Sequence, residues 1–381
     1  MKPLIALILA LAASFGALAA GCGGGDDAAK RQGYQQNQSL IAIGSGQKTT
    51  VPSLTLRQAI GQRMVFAYSG TRPPAALRRR IARGEAAGVI LFSRNIGGVA
   101  AVRAQIARLQ RIKRPAAVDA PLLVMIDQEG GDVRRLPGPP AEGAAATPSS
   151  TAARANGRAA GRLLRSAGVN VDLAPVVDVA RADRALANEG RTYDDDAPGV
   201  IAKAGAFADG LRAAGVEPVL KHFPGFGAAS INTDDGAARI DLSRAALRAV
   251  DLQPYAKIET RAVMLSTAVY PRVDPRPAAF STRWVGGELR GRLKFTGVTM
   301  TDDLQTPAVA NYGSPAQLAY FTMNAGVDLP LFAKDYETGA RAAAGLERAL
   351  RSGALTRTQL YEGARRVLHW RSALAKAKND N

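Results

Sequence analysis

The feature that most limits what this chain can become is an eightfold alternation. Short apolar, β-branched runs occur at Met64 to Tyr68, Gly88 to Phe92, Leu122 to Asp127, Val169 to Pro175, Pro218 to Phe223, Ala262 to Val269, Gly297 to Asp302 and Val327 to Phe332. Each is followed by an amphipathic helical period: Pro74 to Ala86, Ala100 to Ile112, Ser150 to Ser166, Gly199 to Ala214, Ser243 to Lys257, Ser281 to Leu293, Pro315 to Asn324 and Tyr336 to Ser352. A last helix, Thr356 to Lys376, closes the chain. Strands covered by helices on one face and by each other on the second are apolar on both, so they read as runs rather than as alternations. Eight strand-then-helix units predict one α/β domain, a (β/α)8 TIM-like barrel over residues 51–381.

In such a barrel the carboxyl ends of the strands form the face that carries chemistry. Asp127 ends the third strand, Asp178 follows the fourth, Lys221 and His222 end the fifth, and Asp302 and Asp303 end the seventh. One strand-end acid alone serves equally well as a cap for the next helix. Several on one face favour a site. The centre of the pattern is Pro218 to Gly227, where an apolar run ends on Lys221 and His222 and then turns through Pro224, Gly225 and Gly227. His222 is one of two histidines in the chain; the second, His369, stands beside Trp370 and reads as packing.

The amino terminus is of another kind. Lys2 precedes an apolar run, Leu4 to Leu18, too short to span a bilayer comfortably, and small residues lead to Cys22. This pattern predicts a signal peptide over 1–21, lipidation of Cys22, and a flexible Gly/Asp/Gln/Ser-rich tether over 22–50. It places the protein in the cell envelope, held by its lipid on the outer face of the cytoplasmic membrane. Cys22 is the only cysteine, so no disulfide forms within the chain. The net charge of +18 raises the question of nucleic acid. The arginines are spread along helical faces, as at Arg78, Arg79, Arg80 and Arg83 or Arg154, Arg158, Arg162 and Arg165, with no interleaved aromatics. Anionic envelope polymers or lipid headgroups fit better than nucleic acid. Nothing in the sequence calls for a partner protein, and a monomer is expected.

The strand-end chemistry is that of carboxylates with Lys, Arg and His. A chain with two histidines and one cysteine has no zinc set, and the acids show no Mg or Mn spacing, so neither a metal nor another cofactor is expected. The run Asp194-Asp195-Asp196 reads as a solvated helix start before Pro198. Carboxylates beside cationic donors suit a polyhydroxylated substrate, where one Asp can attack an anomeric carbon.

Four segments carry a resemblance. Ile126 to Gly131 (IDQEGG), Asn170 to Asp178 (NVDLAPVVD), Lys221 to Gly227 (KHFPGFG) and Thr301 to Leu304 (TDDL), with Gly88 to Asn95 as a second-strand segment, resemble the family 3 glycoside hydrolases in order and spacing. The nearest branch is the single-domain β-N-acetylhexosaminidases of peptidoglycan recycling. The resemblance spans residues 54–375 and implies a retaining glycosidase acting on terminal β-N-acetylglucosamine of a cell-wall glycan or muropeptide. It implies Asp302 as the nucleophile, and Asp127, Arg135, Arg191, Lys221 and His222 as groups that grip the sugar. Asp178 matches a structural strand-end residue.

The chain departs from that pattern at the acid/base. The branch reads KHFPGHG and then Asp-Ser-His on a mobile loop, with the His as acid/base and the Asp orienting it. Here Phe226 replaces the second motif histidine and Asn232-Thr233-Asp234 replaces the dyad. Asp132 stands for the arginine after EGG, and Thr267 for a sixth-strand histidine. Two readings follow. Either Asp234 or Asp235 donates the proton directly, or the acid is lost and the protein is a glycan-binding lipoprotein with a degenerate hydrolase site. The Gly/Ala/Asn/Asp-rich loop over 225–240 is a flap in both. The Pro137 to Ser150 stretch is expected to be a long surface loop.

Overall fold

The computed structural model describes residues 54–379. The expected Cys22 lipidation, signal peptide and tether lie outside the described residues. Eight strand positions form the barrel: β1 Val65–Phe66, β2 Gly88–Ile90, β3 Leu123–Ile126, β4 Val171–Asp172, β5 in two segments Glu217–Pro218 and Leu220–Phe223, β6 Ala262–Leu265, β7 Val298–Asp303 and β8 Leu329–Phe332. All eight expected strands form, most of them shorter than their apolar runs. Every pairing between them is parallel, and β1 pairs with both β2 and β8. The first segment of β5 pairs with β4 and the second with β6, so the ring closes through a strand interrupted at Val219. The Val219 N–H bridges the break, donating to the carbonyls of Asp172 and Ala174 at 3.0 Å.

Side-chain alternation along these strands builds two apolar layers. Leu123 and Met125 point into the barrel with Val65, Ile90, Val171, Met264, Val298, Met300 and Leu329. Val124 and Ile126 point outward, into the layer shared with the helices. Val367 and Trp370 of the last helix, Arg357–Asn379, join the interior group and close its amino end. His369 is exposed, so the expectation that it packs is corrected: a one-residue step on a helix turns it about 100° from Trp370.

Where the helices differ from expectation, the cause is local. The Ser243 to Lys257 period breaks into Arg244–Ala249 and Gln253–Lys257, because Pro254 cannot donate to a continuous ladder. The Ser281 to Leu293 period winds as a π-helix, Arg283–Arg292, around Gly286, Gly287 and Gly291. The apolar run expected as one strand to Val269 ends at Leu265. The Ser266 hydroxyl accepts the Ala268 N–H there, and Val269–Tyr270 turns to pair antiparallel with Asp274–Pro277. The acidic run before Pro198 is a helix start: Asp196 caps Ala197–Ala213 through the Gly199 N–H, and Asp194 pairs with Lys203 at 3.0 Å. The Pro137 to Ser150 stretch is only partly a surface loop. The Gln128 side chain holds it by the carbonyls of Leu136 and Pro139, and Pro140, Ala144 and Thr147 are buried.

Candidate active site

Asp127 lies immediately beyond β3, and a tight ribbon follows it, Gln128–Gly130 pairing antiparallel with Val133–Arg134. The ribbon explains why residues eight apart meet: the Arg135 N–H donates to the Asp127 carbonyl at 3.2 Å, and their side chains lie 3.9 Å apart. Its turn needs glycine. Gly130 has φ +110°, and a Cβ there would sit 2.3 Å from the Glu142 carbonyl oxygen.

Lys221 and His222 lie on β5, two strands along the ring from β3. The peptide bond joining them is cis, and both side chains line the cavity. Lys221 is buried and pairs with Asp127 at 2.8 Å and with Glu129 at 2.6 Å. Burial would lower the ammonium pKa, but the charges of Asp127 and Glu129 outweigh it and hold Lys221 above its ordinary value. Glu129 is also gripped by the Arg191 fork, with two contacts of 2.9 Å. Burial alone would raise Glu129; Arg191 and Lys221 reverse that and keep it ionised well below the usual carboxylate range. Arg191 reaches Glu189 at 3.0 Å as well.

His222 is fixed from behind. Its Nδ1 lies 2.8 Å from Asp178, which is fully buried and also accepts the backbone N–H groups of His222 and Phe226. Phe226, standing where the family motif has histidine, packs edge-on against the His222 ring at 5.9 Å.

β7 delivers Asp302 and Asp303 side by side. The Asp303 N–H donates to Asp302 Oδ1 at 2.8 Å, which steadies that carboxylate. Asp303 accepts from Ala333 and Gln305, and burial followed by the neighbouring charges of Asp302 and Asp234 raises it to about 6. The loop after β5 brings Asp234 over the mouth. Asp234 is raised above its ordinary value, first by desolvation and then by the charge of Asp302, which places the two acids in one field.

Asp127, Arg135, Arg191, Lys221, His222, Asp302 and Asp234 therefore line one cavity of about 270 Å³. Asp235 does not: like Asp234 it is exposed, but it lies outside the cavity wall, its N–H bonded to the Asn232 carbonyl. Of the two loop acids named from sequence, only Asp234 faces the cavity. Asn232, in the place of an orienting acid, ties the loop down instead. Its amide donates to both Glu189 oxygens at 2.9 and 3.2 Å and its carbonyl accepts the Asp234 N–H at 3.1 Å.

Sequence reasoning missed Glu129, Glu189 and Asp172. Glu129 was signalled by its place two residues after Asp127, whereas Glu189 had no signal beyond nearness to Arg191. Asp172 is buried beneath Lys221, Asp127 and Glu129. Its Oδ1 accepts the Gln128 N–H at 2.9 Å and its Oδ2 has no partner among the described residues. Burial pushes it up to about 8. Thr267, at the family's histidine position, is likewise buried with an unpartnered hydroxyl, and Asp132 is exposed. Among the described residues no cluster of three or more His, Cys, Asp or Glu is arranged to hold a metal.

Residues 55–370 match the glycosyl hydrolase family 3 N-terminal domain. The chain belongs to glycoside hydrolase family 3. This family 3 chain is 36% identical to a beta-hexosaminidase of Xanthomonas oryzae pv. oryzae, over 70% of this chain and 82% of that one. Its fold superposes on the beta-N-acetylhexosaminidase of Beutenbergia cavernae with a TM-score of 0.77 and 33% identity, covering 84% of this chain and 99% of that one. A Paenibacillus family 3 beta-N-acetylglucosaminidase matches with a TM-score of 0.78 and 29% identity, over 85% of this chain and 64% of that longer one. The chain is a glycosidase of the β-hexosaminidase kind, built as the family's single barrel.

Proposed function

We propose that this glycosidase removes terminal β-linked N-acetylglucosamine from cell-wall glycans or muropeptides by a retaining route, with Asp302 as nucleophile and Asp234 as acid/base. The reading rests chiefly on one observation: Asp234, the loop acid facing the cavity, carries a raised pKa in the field of Asp302. A loop carboxyl whose pKa is pushed up by burial and by a neighbouring carboxylate is the kind of group a retaining glycosidase uses as its acid. In the first step an Asp302 oxygen bonds to the anomeric carbon, the glycosidic C–O bond breaks, and the Asp234 proton passes to the leaving oxygen. In the second, Asp234 takes a proton from water, whose oxygen displaces Asp302 from the same carbon. Asp127, Arg135, Lys221, His222 and Arg191 bind the sugar's hydroxyls away from that carbon. A cavity of about 270 Å³ suits a single sugar residue at the end of a chain. The amino-terminal pattern ending in Cys22 supports an envelope location with a lipid anchor.

Two substrates test the assignment. With an aryl N-acetylglucosaminide whose leaving group needs no proton, Asp302→Ala should abolish turnover, and Asp234→Asn should accumulate a sugar covalently bound to Asp302. With an alkyl glycoside, Asp234→Asn should lose on the order of 10²- to 10⁴-fold in kcat, the usual worth of general acid catalysis. Full activity of Asp302→Ala would discard the hydrolase mechanism. Saccharide binding by the parent chain with no turnover of either substrate would establish instead the degenerate, glycan-binding reading.

A further inference from the structure

The helices that follow β1, β2 and β3 are Ala75–Ala82, Val99–Gln110 and Ser150–Ala167. Together they hold nine arginines and no Asp or Glu. Because β1, β2 and β3 are neighbours in the ring, these helices lie side by side on one flank of the barrel. Arg78, Arg79, Arg108, Arg158 and Arg162 are exposed there, and Arg111 and Lys113 extend the set at the end of the second helix. Of the ion pairs among the described residues, none involves any of these seven cations. The carboxylates bordering the flank are already engaged: Glu85 with Arg80 and Arg83, Asp119 with Arg114, and Asp209 with Arg154.

Elsewhere some exposed cations have partners, as Arg57 and Arg351 have Glu347 and Arg272 has Asp241, while others, Arg184, Arg239, Lys257 and Lys294 among them, have no ion pair among the described residues. What sets the flank apart is seven such cations on three neighbouring helices that carry no Asp or Glu. Seven unpaired cations on one face set up a positive potential, which an anionic partner meeting that face would neutralise with a gain in free energy. We infer that this flank is an electrostatic docking surface for an anionic lipid bilayer. The cations are spread over the outer faces of adjacent parallel helices, with no single groove or aromatic platform to lead a polymer strand along. A plane of headgroup phosphates meets charges so arranged simultaneously. The sugar cavity opens at the carboxyl end of the strands, so a barrel lying on this flank keeps its mouth open to the side. The inference does not depend on the reaction or on lipidation of Cys22.

The test is sedimentation of the full, unlipidated chain with phosphatidylcholine vesicles, with and without about one-third phosphatidylglycerol. The apolar stretch Leu4 to Leu18 is common to every variant, so differences between variants report the flank. Parent protein should bind the anionic vesicles, release from them as salt is raised from about 0.05 to 0.5 M, and bind the neutral ones far less. Arg158→Glu with Arg162→Glu should weaken anionic binding at least tenfold. Lys257→Glu with Lys294→Glu, the same charge change at exposed sites after β5 and β6, should change it less than twofold. Neither pair should alter turnover of a soluble aryl glycoside, which also shows that the variants fold. Equal loss in both pairs would reduce the effect to net charge and overturn the inference. So would equal binding to neutral vesicles, or binding to soluble polyglycerol phosphate but not to vesicles.

Discussion

Asp172 shows how a single side chain can be decided by its surroundings. From sequence it is an acid in a strand; in the fold it is a fully buried carboxyl with one oxygen that has no partner among the described residues. Its pKa is raised from 3.8 to about 8, so the folded state holds a proton that the unfolded chain gives up above the ordinary carboxylate range. Unfolding then releases a proton, and Asp172 makes the fold progressively less stable as pH rises between those two values. Asp172→Asn removes that dependence while its carbonyl can still accept the Gln128 N–H. Thermal unfolding of the two proteins should give midpoints that diverge from pH 4 to pH 8, with the parent falling relative to the variant. Parallel curves would mean that Asp172 is ionised in the folded protein. Asp303 and Glu217, also raised, act in the same direction in both proteins and cancel in the comparison.

At the scale of elements, the loop after β5 is the part with most consequence for chemistry. It reads from sequence as a flap, yet Asn232 fastens it to Glu189, which leads through Arg191 and Glu129 to Lys221 and Asp127. The sugar-gripping groups and the loop acid therefore belong to one polar chain. Asn232→Ala cuts the loop free of it without touching the cations. Hydrogen bonds to charged acceptors are worth about 1.5–3 kcal/mol, less at an exposed rim, so the proton-dependent reaction should fall by about tenfold. The aryl substrate, indifferent to Asp234, should be cleaved at nearly the parent rate. Equal losses on both substrates would show that Asn232 supports the whole cavity and not the acid. The helices illustrate a different dependence. Gly157 lets Ser150–Ala167 cross Ala197–Ala213 so closely that a Cβ would stand 2.1 Å from the Phe207 carbonyl oxygen. No helical periodicity discloses such a contact.

At the scale of the whole molecule, the barrel's amino end is sealed by charge as well as by Trp370. Asp328, fully buried, pairs with Arg290 at 2.9 Å and Arg366 at 2.8 Å, while Arg63 donates to its backbone carbonyl at 2.8 Å. These residues come from the segment before β1, the π-helix, the start of β8 and the final helix. Burial would raise Asp328, but the three guanidinium groups reverse this and hold it below its ordinary value. Removing the anion leaves buried cations uncompensated. Asp328→Ala should cost about 3–5 kcal/mol in denaturant-unfolding free energy. A loss under 1 kcal/mol would show that water reaches and solvates those arginines.

The sequence by itself determined the ring. Eight apolar runs separated by helical periods admit few other arrangements, because each strand must be covered on both faces. It also disclosed which strand ends carry polar groups, since those interrupt apolar runs at a fixed point in each unit. What it left undecided was everything set by contacts between units. The split of β5, the choice of Asp234 over Asp235 at the cavity, the clasp of Asn232 on Glu189 and the burial of Asp172 depend on residues tens of positions apart, and even the ribbon joining Asp127 to Arg135 across eight positions is fixed by its turn packing against Glu142. Their cause is electrostatic and steric: desolvation and neighbouring charge act over a few ångströms of space, and the chain assigns those distances only when the barrel closes.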